Sequence, residues 1–298
     1  MIKLDTVTRG SKNVVFSFIQ QNDAWQLTGE NITDPFYTEN SSEIIKIQKQ
    51  YAKIVNADYY FFKGNVVEYV KSKIPNLIKL RLFVQYYDLA RYLFMAELCK
   101  KYDKVLYIDT DIIPVTNDSI FDEVQDENTL YIGKIMTEYG KDCPFYGEME
   151  NYNKILKDKT YKYNGHVNHG VIVSSGNAAA SFIENHIDKL MTFTKTIDKE
   201  FFEEDVIYIG IEHYYMYMLG TTDFNKLGFN LRYFREEGWN VYSLSDDFPG
   251  FTKIYNGESK YPYRFIHFCG SEAKEAYKKE KPELKKLIEK RIGEYTWI

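Results

Sequence analysis

One stretch concentrates the residues best suited to chemistry: Tyr107-Ile108-Asp109-Thr110-Asp111-Ile112-Ile113-Pro114. An apolar strand runs into two carboxylates separated by one residue. Side chains i and i+2 of an extended chain share a face, so Asp109 and Asp111 are expected to approach one point. Two carboxylates held together repel unless a proton or a cation lies between them. Oxygen ligands favour Mn2+ or Mg2+, which leave coordination positions for phosphate oxygens. A solvated turn is the plainer reading, because Asp is a common turn residue. The apolar runs on both sides favour the buried, ion-holding one. Upstream, Asp88 and Arg91 stand at i and i+3 of a helix, where they form either a surface pair or a tie to the following loop. His267 follows Tyr263-Arg264-Phe265-Ile266 and reads as a strand end, where a histidine is either a core residue or a ligand.

These residues need a scaffold. Val14 to Ile19 reads as a buried strand, and Gln20 to Asn40 as a loop. Ser41-Ser42-Glu43 suits the start of a helix whose apolar face is Ile44, Ile45, Ile47, Tyr51 and Ile54. Asp58 to Phe62 reads as a strand, Leu80 to Lys100 as a long helix, and Lys104 to Ile108 as the strand that leads into Asp109. Strand, helix, strand, helix, strand argues for a mostly parallel sheet covered by helices. Thr129 to Gly133 and Gly170 to Val173 read as further strands. Asn177 to Thr194 and Phe202 to Leu219 read as helices, and 140–163 as an irregular loop. The Lys/Glu-rich tail, Glu272 to Arg291 with Pro282, reads as a solvated helix or helix pair. The spacing predicts one main domain over 1–271 and a helical extension over 272–298.

Composition narrows the function. The chain has 298 residues, 44% hydrophobic and 27% charged, as in an ordinary globular protein. A net charge of −5 argues against nucleic-acid binding by bulk charge. No run of about 18 apolar residues suggests a membrane span. Cys99, Cys143 and Cys269 match neither a disulfide framework nor a zinc motif, which suits a reducing compartment. With no apolar leader at the N-terminus, the expectation is a cytoplasmic protein, with peripheral membrane contact left open. Neither a Gly-x-Ser-x-Gly elbow nor a phosphate-binding Gly-Lys-Ser/Thr loop occurs.

The segment YDLARYLFMAELCKKYDKVLYIDTDIIP resembles the core of GT-A nucleotide-sugar glycosyltransferases, where a helix bearing Asp-x-x-Arg-Tyr precedes a strand ending in Asp-x-Asp. Similar patterns occur in the glycogenin and lipopolysaccharide galactosyltransferase family and in the α-galactosyl and α-xylosyl transferases. Further elements follow in the same order. They are Asn168-His169-Gly170-Val171, Glu203-Glu204-Asp205, Gly238-Trp239-Asn240 and Ile266-His267-Phe268-Cys269-Gly270. Lys274 comes seven residues after His267, and the Pro-Trp that follows in many relatives is absent.

The resemblance implies a three-layer α/β sandwich around a mixed, mostly parallel sheet. It implies transfer of a sugar, with retention, from a nucleoside diphosphate-sugar, with UDP favoured, to a hydroxyl of a glycan or glycoprotein. Asp109, Asp111 and His267 would hold Mn2+ or Mg2+. Phe16, Ser17, Phe18, Asp88, Arg91, Asp109, Thr110, Gly270 and Lys274 would bind the donor. Asn168, His169, Gly170 and Trp239 would face the acceptor. Glu204 or Asp205 would lie beneath the sugar, and the 140–163 loop would close over it. Two alternatives are a sugar nucleotidyltransferase and a non-catalytic carbohydrate-binding protein of the same fold. The former would carry a Gly-rich basic loop after the first strand, and Ser17 to Asn31 contains neither Arg nor Lys.

Overall fold

Strands that are apolar at nearly every position need cover on both faces, and this chain supplies it with helices. The computed structural model describes residues 3–7, 10–20, 35–75, 77, 83–134, 167–201, 214, 228–234, 238–243, 248–268 and 271–293. The first elements are β1 (Lys3–Val7), β2 (Asn13–Gln20), α1 (Pro35–Ile54), β3 (Asp58–Gly64), α2 (Val66–Lys73) and α3 (Phe83–Leu98). Then come β4 (Lys104–Ile108), β5 (Ile112–Pro114), α4 (Ile120–Glu123), β6 (Thr129–Lys134), β7 (Val167–Ser175) and α5 (Ala178–Phe201). The chain closes with β8 (Asn230–Tyr233), β9 (Val241–Tyr242), α6 (Phe251–Asn256), β10 (Phe265–His267) and α7 (Ser271–Ile292). Residues 140–163, and all of 202–219 but Tyr214, fall outside the described residues.

The large sheet has the order β1-β3-β2-β4-β7-β6-β8. Within it β2, β3, β4, β6 and β8 run one way, and β1 and β7 the other. This is the three-layer α/β sandwich, with a mixed and mostly parallel sheet, that the sequence resemblance implies. From β2 the chain goes to one side for β3 and returns to the other for β4. The carboxyl ends of β2 and β4 therefore flank a switch point, the usual crevice of an open α/β sheet.

Alternation sorts the strand residues into two cores. Val14, Phe16 and Phe18 of β2 and Val105 and Tyr107 of β4 pack with Val66 of α2, Leu89 and Leu93 of α3 and Phe182 of α5. Val15 of β2, Leu106 and Ile108 of β4 and Val171 and Val173 of β7 pack with Ile45 and Tyr51 of α1 and Phe121 of α4. A smaller sheet, β5-β10-β9, carries a third core. There Ile113, Ile266 and Phe268 meet Ile44 and Ile47 of α1 and Tyr277, Leu284, Leu287 and Ile288 of α7. Helix α1 is thus wedged between the two sheets and buries two faces.

Two expectations change. The helix expected from Ser41 begins at Pro35, whose fixed φ suits a first helical turn, so Glu43 sits inside it. The tail is one half-buried helix rather than a solvated one. Tyr277 donates its hydroxyl to Glu43 Oε2 (3.1 Å), and Arg291 donates to the Val115, Pro262 and Tyr263 carbonyls. No helix among the described residues is long and apolar enough to cross a membrane. Leu287→Ala should cost about 2–5 kcal/mol, read as a lower urea midpoint. A loss well under that range would mean that α7 unfolds apart from the sheets.

Candidate functional site

The last rung of β4 is made by the Asp109 N–H, which donates to Gly170 O at 2.8 Å. Ile112 N–H then returns to Asp109 O at 3.1 Å. The two aspartates are therefore drawn together by a hydrogen-bonded turn, not by the extended geometry expected from the sequence. The chain must leave the large sheet and enter the small one within these few residues. Gln48 of α1 staples the turn: its Nε2 donates to Asp109 O (2.8 Å) and Ile112 O (3.0 Å). Tyr59 donates to Gln48 Oε1 at 3.2 Å, and Ser17 Oγ lies 2.7 Å from the Tyr59 hydroxyl. Satisfied buried networks of this kind fix one arrangement.

The small sheet supplies the third group. Antiparallel pairing of β10 with β5 sets His267 opposite Ile112, and Phe268 N–H donates to Asp111 O at 2.9 Å. His267 Nε2 thereby lies 3.2 Å from Asp111 Oδ1. Ligand atoms of Asp109, Asp111 and His267 all fall within 4.8 Å of one another. On its other side the ring meets Asn240, with Nδ1 3.1 Å from Asn240 Oδ1.

Helix α3 supplies the countercharge. Arg91 donates to Asp88 Oδ1 at 2.8 Å and to Asp109 Oδ2 at 3.4 Å. Its guanidinium also rests against the rings of Tyr87 and Tyr107, 5.6 and 5.2 Å from their centroids. The Tyr107 hydroxyl donates to Asp109 Oδ1. Tyr107 lies two residues before Asp109 on the strand approach, and that spacing is a signal a sequence reading could have used. Burial raises the Asp109 carboxyl above its ordinary range; Arg91 opposes this, Asp111 adds to it, and His267 and Tyr107 oppose it. Burial likewise pushes the Cys99 thiol up to about 11, so it stays protonated at neutral pH and is a poor nucleophile.

Of the residues singled out in the sequence, Asp88, Arg91, Asp109, Asp111 and His267 converge at the carboxyl end of β4. Phe16, Ser17 and Phe18 are fully buried on neighbouring β2, where Phe18 O accepts from the Tyr87 hydroxyl (2.7 Å). Thr110 is buried beside that hydroxyl. Asn168 and Gly170 sit at the start of β7, next to the aspartate turn. His169 is buried with Nδ1 3.4 Å from the Tyr92 hydroxyl. Trp239 is buried edge-on against Phe265 and under Arg264. Lys274 is half-buried near the start of α7. Glu204, Asp205 and Gly270 fall outside the described residues.

The donor set fits a divalent cation. Two carboxylates face each other with an imidazole, and the neighbouring Arg91 is already shared with Asp88. Carboxylate oxygens and an imidazole nitrogen within 4.8 Å of one another are ligands that a divalent cation accepts.

No family model matches the chain, and no curated protein is similar to it in sequence. Several solved structures are similar. One is a glycosyltransferase involved in glycosylation of the major capsid of PBCV-1, at 12% identity and TM-score 0.46, covering 90% of this chain and 98% of that one. Another is the galactosyltransferase LgtC in complex with donor and acceptor sugar analogues, at 14% and 0.43, covering 87% of each. A third is mouse xyloside xylosyltransferase 1, at 9% and 0.42, covering 85% of this chain and 96% of that one. At these values the likeness is one of chain path, and the chemistry is carried by the site's own residues.

Because burial raises the Asp109 carboxyl, protons compete with a cation there at higher pH than at an exposed aspartate. Mn2+ affinity should fall on acidification, beginning above about pH 4. Arg91→Leu removes a group that lowers this pKa, so the fall should move to higher pH. Electron paramagnetic resonance of free Mn2+ reads both; full affinity retained at about pH 4 would contradict the arrangement.

Proposed function

We propose that this chain is a metal-dependent glycosyltransferase that moves a sugar from a nucleoside diphosphate-sugar, UDP favoured, to a hydroxyl of a glycan or glycoprotein. The observation that carries the reading is the convergence of Asp109, Asp111 and His267 at the carboxyl end of β4, with Arg91 braced beside them. Breaking the anomeric C–O bond leaves negative charge on the departing diphosphate. A divalent ion held by Asp109, Asp111 and His267 would supply Lewis-acid stabilisation of that charge.

The protein's own groups do the positioning. Arg91 fixes the Asp109 carboxylate while Asp88 fixes Arg91, so the turn is set before donor arrives. The crevice beside the end of β2 is the proposed seat of the base and ribose, near Phe18. Lys274 and Gly270 are the proposed contacts to the diphosphate. Glu204 or Asp205 is the proposed carboxylate beneath the sugar, where the transition state gains oxocarbenium character. In the retaining reaction the acceptor oxygen bonds to the anomeric carbon as the C–O bond to phosphate breaks. The acceptor proton passes to the departing phosphate oxygen, so no separate base is needed.

Mn2+ and UDP together should raise the melting temperature. The stabilisation is about 2.7 kcal/mol at a hundredfold excess over Kd. A panel of UDP- and GDP-sugars then identifies the donor by slow hydrolysis. Asp111→Asn should lower turnover at least about a hundredfold while the far-UV circular dichroism stays unchanged. Melting that responds to neither ligand would favour a carbohydrate-binding protein, and pyrophosphate release from a nucleoside triphosphate would favour a nucleotidyltransferase. An inverted anomeric signal in the NMR spectrum of fresh product would overturn retention.

A further inference from the structure

Behind His267 lies a chain of neutral groups whose polarity can be read from one end. Gly170 N–H donates to Asn168 Oδ1 at 2.8 Å. A backbone N–H can only donate, so that side-chain atom is the amide oxygen. Asn240 Nδ2 lies 2.7 Å from the same oxygen and 3.4 Å from the Asn168 carbonyl oxygen. Both are acceptors, so Asn240 must face them with its NH2. Its own oxygen is thereby turned to His267 Nδ1, 3.1 Å away. An amide oxygen cannot donate, so Nδ1 carries the hydrogen. With Nδ1 protonated, the neutral ring that a cation requires carries its lone pair on Nε2, at the side of Asp111 where a cation would sit.

The alternative tautomer would defeat the site. With the hydrogen on Nε2, His267 would donate to Asp111 Oδ1 across the 3.2 Å gap. Each would then occupy the other's ligand position. A buried histidine beside a carboxylate favours that charge-assisted bond unless something opposes it. Here the opposition is neutral and buried: Asn168 is 7% exposed, Asn240 2% and His267 2%. The packing leaves the three side chains little room to turn. A Cβ at Gly133 would lie 2.7 Å from Asn240 Cβ. One at Gly170 would lie 2.8 Å from Asn168 Oδ1 and 3.0 Å from His267 Cε1. The β6–β7 register shifts between Ile132 and Gly133, so that Gly133 pairs with Asn168.

We infer that Asn240 is a positioning residue of the cation site: oriented by Asn168 and the Gly170 N–H, it holds His267 in the Nδ1–H tautomer so that Nε2 stays open to a divalent ion. The inference rests on the metal-dependent reading above.

Two-bond 1H–15N NMR of the metal-free, 15N-histidine-labelled full chain tests it, at a pH chosen from the same spectra as one where the His267 ring is neutral. The His267 signals are assigned by their loss in His267→Gln. The wild type should show the Nδ1–H form; an Nε2–H form overturns the inference with no variant needed. Asn240→Leu, which neither donates nor accepts, should shift the ring towards Nε2–H. It should also weaken Mn2+ binding about 10–100-fold. Asn168→Asp, which still accepts from both donors, should keep the wild-type tautomer. Either effect of Asn240→Leu without the other, or loss of the Nδ1–H form in Asn168→Asp, overturns it. Wild type that binds Mn2+ no more tightly than Asn240→Leu sinks this inference alone. Wild type that takes up no Mn2+ sinks the metal reading, and the inference with it.

Discussion

Two carboxylates side by side in a mostly buried turn repel each other, and the architecture around the turn is arranged against that repulsion. At about 4 Å and an effective dielectric near 20, two unit charges interact with roughly 4 kcal/mol. A chain free to relax would let the pair part. Here Asp109 and Asp111 are held by a closed turn, by Gln48 across two carbonyls, and by a pairing of β10 with β5 that pins Asp111 through Phe268. Arg91 and the Tyr107 hydroxyl offset part of the charge on Asp109. What they leave uncompensated is negative charge of the kind that a small, hard cation would offset.

Much of the fold serves to brace that turn. Helix α1 lies between two sheets, and this is why a glutamine can be fully buried on it and satisfied at both ends. The Ser17–Tyr59–Gln48 series carries the constraint back into strands β2 and β3 of the large sheet. Helix α7 closes the third core and hydrogen-bonds the backbone just after β5 and just before β10. The small sheet that carries His267 is thus held from outside by α7, and the aspartate turn from within by Gln48.

The two flanks of the site differ in kind. On the α3 side, the ion pair Asp88–Arg91 supplies charge. On the β7 side, Asn168, Asn240 and the Gly170 N–H supply fixed dipoles and no charge. Neutral groups can orient a ligand without competing for it electrostatically, and in a buried setting their alignment is costly to disturb. A positive group in the place of Asn240 would repel a cation beside His267.

Some of this is legible in the residues alone. The strand ending in Asp109-Thr110-Asp111, the i,i+3 pair on the preceding helix and the alternation of strands with helices are local patterns set by short-range geometry. The resemblance further singled out His267, as well as the Asn168 and Trp239-Asn240 segments. Other parts were not legible. Gln48 sits between Ile47 and Lys49 and reads as one more polar helix residue; only the crossing of α1 over the turn makes it a staple. The sequence alone determined which groups this protein can bring to bear: two carboxylates, an imidazole and a guanidinium on a covered α/β sheet. The tertiary structure alone decided that a turn rather than a strand draws the aspartates together, and which nitrogen of His267 faces them. Those outcomes depend on pairings between segments distant in the chain, and local preference carries no information about which donor will meet which acceptor.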